Sequence, residues 1–77
     1  MAEISPRGGA LHKRSLVLSG HATSLALEAE FWEVLEAFAR ARGLRLAALI
    51  SQIDARRAGR PLASACRVAA LEFAALR

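Results

Sequence analysis

The side chains able to do chemistry in this 77-residue sequence are mostly guanidinium groups. Ten Arg and one Lys stand against seven acids, for a net charge of +4. Their placement is uneven. Residues 28–36 carry Glu28, Glu30, Glu33 and Glu36 with no base, whereas residues 40–60 carry Arg40, Arg42, Arg45, Arg56, Arg57 and Arg60 against Asp54 alone. Clustered guanidinium groups suit phosphate or another polyanion. Lys13-Arg14, together with Arg7 upstream, forms a second basic group able to touch phosphate. Part of the pattern has a plainer role. Acids open a helix and bases close it, matching the helix dipole, with Glu36 and Arg40 paired four residues apart. That accounts for Arg40 but not for Arg45, which lies beyond the helix.

Other chemistries find little support. His12, His21 and Cys66 are the only imidazole and thiol groups, and their spacing is not that of a zinc site. No nucleophile is placed beside a base, and Gly8-Gly9 sits in a segment without periodicity, so it cannot cradle a phosphate. His21 reads as a turn residue. No catalytic residue, cofactor or metal is expected, and an enzyme is the reading excluded.

A single cysteine rules out an intrachain disulfide. One-domain chains below roughly 80 residues usually need a disulfide, a metal or oligomerisation, which leaves oligomerisation. The apolar fraction of 55% agrees with apolar surface kept for a partner subunit. Leu16–Leu18 is too short for a secretory h-region. The apolar C-terminal run is broken by Arg67 and Glu72 and falls short of the roughly 20 residues that span a bilayer. A cytoplasmic protein without a membrane segment is expected.

Residues 1–12 read as a flexible arm and residues 13–77 as the folded domain. A strand is expected over about 14–19 and another over about 22–27, because Leu16 and Leu18, then Thr23, Leu25 and Leu27, alternate with other residues. Gly20-His21 between them suits a type II′ turn with Gly first. Folding about it sets Leu18 opposite Thr23, Leu16 opposite Leu25 and Arg14 opposite Leu27, so the four leucines share a face. A free arm over 14–19 is the alternative. The period then changes. Phe31, Leu35, Phe38 and Ala39, flanked by Trp32 and Val34, place a helix over about 28–42, ended by Gly43. A second helix over about 46–57 carries Leu46, Leu49, Ile50 and Ile53 on one face and stops at Ala58-Gly59-Arg60-Pro61. A third, about 62–76, has a main stripe of Leu62, Ala65, Cys66, Ala69, Phe73 and Leu76. Val68 and Leu71 lie off that stripe and are left for a partner.

Lys13-Arg14-Ser15, Gly20-His21-x-Thr23-Ser24, Leu27-Glu28-x-Glu30-Phe31-Trp32, Ala41-Arg42-Gly43-Leu44, Ile53-Asp54-Ala55 and Ser64-Ala65-x-Arg67-Val68 follow one another in this order. Together they resemble the bacterial ribbon-helix-helix domain of the Arc/MetJ-like superfamily, in its subfamily with an extra upstream strand and a third helix. The resemblance covers roughly residues 12–77. It implies a mostly α fold with a short antiparallel ribbon, and an intertwined homodimer in which strands of two chains pair over the helices of both. A further step to a tetramer is left open. Leu25, Leu27, Phe31, Trp32, Leu35, Leu49 and Ile53 would form the shared core. It also implies membership of a group rich in DNA-binding repressors.

In those repressors outward side chains of the strand enter the major groove. The outward positions here are Ala22, Ser24 and Ala26. Alanine touches only a thymine methyl, and a serine hydroxyl discriminates poorly between bases. A hairpin in each copy would make a four-stranded sheet roughly 14 Å wide, against a major groove of about 12 Å. Backbone binding is what survives. In the family the turn before the second helix presents its first amides to phosphate, and Arg45 holds that position here, with Arg42, Lys13 and Arg14 adding to the surface. The leading expectation is a homodimeric DNA-binding regulator with phosphate contacts and weak base readout. The second is a dimeric interaction module that binds a protein at Val68 and Leu71 and does not bind DNA.

Overall fold

The computed structural model describes residues 10–76, so all but residues 10–12 of the expected arm lie outside it. The order is β1 (Leu11–Leu18), β2 (His21–Glu28), α1 (Ala29–Arg42), α2 (Leu46–Arg56) and α3 (Leu62–Ala75). β1 and β2 form a two-stranded antiparallel hairpin, so the segment is not a free arm. Strand begins at Leu11, which takes Leu11 and His12 out of the expected arm.

The hairpin turns at Ser19-Gly20, not at Gly20-His21. Ser19 has φ 52° and Gly20 φ 85°. Positive φ at both central residues is the type I′ geometry, whose twist matches that of the strands. The register accordingly sets Leu18 against His21, Leu16 against Thr23, Arg14 against Leu25 and His12 against Leu27. This differs by two residues from the expected pairing. A slip of one would have turned every side chain over, but a slip of two preserves the faces. Leu18, Leu25 and Leu27 are buried together, with Leu16 packed against them.

Gly43, at φ 69°, ends α1 in the left-handed conformation. Its N–H donates to the Arg40 carbonyl at 3.1 Å and that of Leu44 to the Ala39 carbonyl at 2.9 Å. This Schellman arrangement satisfies carbonyls the helix leaves open and turns the chain sharply into α2. Pro61 precedes α3, where its missing N–H costs nothing, and its carbonyl accepts from Ala65.

The buried face of α1 is Trp32, Leu35 and Ala39, rotated from the expected stripe. Trp32 is 2% exposed, while Phe31 and Phe38 are half-buried at the margins. On α3 the buried centre is Ala65, Cys66 and Ala70, and Leu76, expected on the packing stripe, is 86% exposed. The hairpin folds down over the helices of its own chain. Of the residues expected in a core shared between copies, Leu25, Leu27, Trp32, Leu35 and Leu49 are buried in this chain beside Ile50 and Cys66. Phe31 and Ile53, the other two residues expected there, are half-buried.

Candidate nucleic-acid interface

Strand alternation divides the hairpin into an inner and an outer face. Lys13, Ser15 and Val17 of β1 stand on the outer side opposite Ala26, Ser24 and Ala22 of β2. All are exposed except Ala26, which is half-buried. Among the described residues Lys13 is the only cation on this face, which Leu11 and Glu28 continue beyond it. Ser15 and Val17 join the surface only because the hairpin forms, which is why strand 22–27 alone did not reveal them. Ser15 opposite Ser24 adds a second hydroxyl, still a poor discriminator between bases.

Arg14, expected beside Lys13 on this surface, points the other way. Strand neighbours face opposite sides, and Arg14 lies on the leucine face with its guanidinium 4.5 Å from the Trp32 ring centre. Its Nη1 donates to Glu36 Oε2 at 2.8 Å. Glu36 is therefore engaged by β1, and the expected pairing with Arg40 inside α1 is not made.

The second group lies at the turn from α1 to α2. Arg45 takes the N-cap position of α2 with extended φ and ψ of −71° and 153°, and no side chain caps the helix. Arg45 itself is exposed, and its carbonyl accepts the first helical bond from Leu49 at 3.1 Å. The first turn of α2 contains no acid. Its first amides and the positive end of its dipole are thus open to an anion. Arg42, three residues upstream, is exposed and lies 5.6 Å over the Phe38 ring. The two guanidinium groups flank the Gly43-Leu44 connection.

Among the described residues two titrating groups elsewhere are perturbed. Glu28, preceding α1, has its carboxyl held below the ordinary value by a hydrogen bond from its own backbone amide and then by Arg67, whose Nε donates at 3.0 Å. Burial, followed by the Asp54 carboxylate, pushes the Cys66 thiol up to about 11, partly opposed by Arg67. Among the described residues no three His, Cys, Asp or Glu side chains converge as a metal site would require. Among the same residues no helix is long and apolar enough to cross a membrane.

Comparison with known proteins agrees with this architecture. No curated protein matches the chain. The solved structure of an uncharacterized protein from Bordetella pertussis Tohama I is similar, with a TM-score of 0.77 and 35% sequence identity. That likeness covers 95% of this chain, which spans only 62% of the other. A family model described as "Ribbon-helix-helix domain" matches residues 11–74, from the first residue of β1 to the last turn of α3. This match, over most of the chain, shows that the chain belongs to the ribbon-helix-helix family, whose members are commonly DNA-binding transcription regulators.

Proposed function

We propose that two copies of this chain pair along β2 and bind duplex DNA as a homodimer, chiefly through the phosphate backbone. The observation that carries the reading is the start of α2, where exposed Arg45 stands on an uncapped, acid-free helix N-terminus. Phosphate is the ligand such an end accepts most readily, and a guanidinium adds a charged fork beside it. Arg42 and Lys13 are the further contacts proposed, the first across the same turn and the second on the ribbon.

The hairpin supports the mode of pairing. A two-residue turn makes Leu18 and His21 a hydrogen-bonded pair, and the antiparallel pattern alternates from there. The backbone groups of Ala22, Ser24, Ala26 and Glu28 therefore point to the other edge of β2, which has no strand beside it among the described residues. Such an edge is a template for a second chain. Pairing there places Ala22, Ser24 and Ala26 of both copies at the middle of a four-stranded sheet and Lys13 on its flanks. A surface this broad and this poor in donors lies against a groove without reading it closely. A regulator of this kind acts in the bacterial cytoplasm.

Selection of random duplexes by the purified protein is the test. Retention of most sequences with little enrichment is the expected result, and failure to retain any duplex at low salt refutes the reading. A protein-interaction module is the second reading, favoured by Leu71, which is 67% exposed on α3 next to half-buried Val68. It predicts a protein partner lost on Leu71→Glu.

A further inference from the structure

Glu28 closes β2 in the same alternating row as Ala22, Ser24 and Ala26, opposite Leu11 of β1. It is the only acid in the two strands, and it belongs to the side of the ribbon that carries Lys13. Its carboxylate does not stand free there. Arg67, from the middle of α3 and 39 residues away, reaches it with two nitrogens, Nε and Nη2, each 3.0 Å from Oε1. The same guanidinium lies 5.6 Å over the Phe31 ring, so it is held from two sides. Glu28 stays ionised, because its own backbone amide and then Arg67 favour the charged form.

We propose that Arg67 screens Glu28 from bound DNA, keeping the DNA-facing side of the ribbon free of an exposed negative charge. This role presupposes the duplex binding proposed above and adds to it a function for α3. Phosphates repel a bare carboxylate, and in a homodimer the repulsion acts twice. Lys13 is the one cation among the described residues on that side, so an unscreened Glu28 cancels its charge. A guanidinium forked onto the carboxylate offsets that charge where it arises. Arg67 thus acts through Glu28 and touches no phosphate itself. Arg14–Glu36 provides the contrast. That pair also joins hairpin to helix, at 2.8 Å, but Arg14 lies on the leucine face against Trp32, turned away from the duplex. Loss of either arginine removes one positive charge. Only loss of Arg67 bares an acid on the DNA side.

Fluorescence anisotropy of a labelled duplex at low salt compares the full wild-type chain with Arg67→Ala, Arg14→Ala, Glu28→Gln and the Glu28→Gln, Arg67→Ala double variant. Thermal melting is recorded for each. Arg67→Ala should bind about ten-fold more weakly than Arg14→Ala, and the double variant, which lacks the acid that needed screening, within about two-fold of wild type. Glu28→Gln alone keeps the side-chain shape and frees Arg67. It should bind at least as tightly as wild type, and it carries the test if Arg67→Ala does not fold. Equal binding by Arg67→Ala and Arg14→Ala overturns the proposal. So does a double variant as weak as Arg67→Ala, which makes Arg67 a direct phosphate contact or a structural link only. Weaker binding by Glu28→Gln overturns it as well. A wild-type chain that retains no duplex fails at an earlier step, removing the DNA-binding reading and this role together.

Discussion

Trp32 donates its indole N–H to the main-chain carbonyl of His12 at 2.8 Å, fastening the start of α1 to β1 across 20 residues of chain. The ring is buried and Arg14 covers it, so one side chain joins strand, helix and an ion pair to Glu36. Trp32→Phe retains most of the ring and removes the donor. It should lower stability by roughly 1–3 kcal/mol, read as a lower urea midpoint with little change in slope.

The turn offers a sharper test of register. Ser19 is held at φ 52° with Gly20 at φ 85°, and Asn-Gly is the pair that adopts this geometry with least strain. Ser19→Asn should raise the melting temperature, by an effect on the order of 0.5 kcal/mol, whereas Gly20→Ala should cost about 1 kcal/mol or more. No atom lies within 4 Å of a Cβ added at Gly20, so that cost is conformational and not steric crowding. A turn at Gly20-His21 would instead leave Ser19→Asn neutral.

These features show where the sequence is legible. The face of each strand follows from alternation, because Leu16, Leu18, Leu25 and Leu27 keep their side under either turn. For the same reason alternation cannot choose between two registers that differ by two residues. The choice is made by a serine accepting left-handed geometry and by eight strand pairs closing before α1 begins, neither of which Ser19 announces. On α1, Phe31 and Trp32 each begin a helical stripe that shares Leu35, and only the hairpin lying over the helix decides that Trp32 goes inside. Arg14–Glu36 joins residues 22 apart, so a search for partners four residues away finds Arg40 instead. Exposed Arg45 beyond Gly43 was legible because the helix stop is a local signal.

Lys13 and Arg14 are adjacent in sequence and opposite in orientation, and DNA binding should separate them. Lys13→Ala should weaken retention of all duplexes alike and reduce the salt slope by about 1. Arg14→Ala should leave the slope unchanged and lower stability by no more than about 1 kcal/mol, since its ion pair is partly exposed. Fluorescence anisotropy at several salt concentrations, with a urea titration beside it, reads both.

Cys66 is fully enclosed, and its thiol is raised to about 11. The folded value exceeds the unfolded one of about 8.5, so the fold favours the neutral thiol. Its contribution is complete below the unfolded value and falls away as pH rises through the folded one. A chromogenic disulfide reagent at pH near 8 should label Cys66 slowly in the native protein and promptly in urea. Native stability should decline between those two values, and less so in Cys66→Ala.

Titration of a fluorescent duplex with the wild-type chain and with Arg45→Glu, across a range of salt, tests the central claim most directly. The wild type should bind at low salt with log K falling linearly against log salt at a slope of about −0.9 per phosphate neutralised. The variant should lose most of that binding while melting like the wild type. A wild-type chain that binds no duplex at any salt, or an equally tight Arg45→Glu variant, would contradict the account.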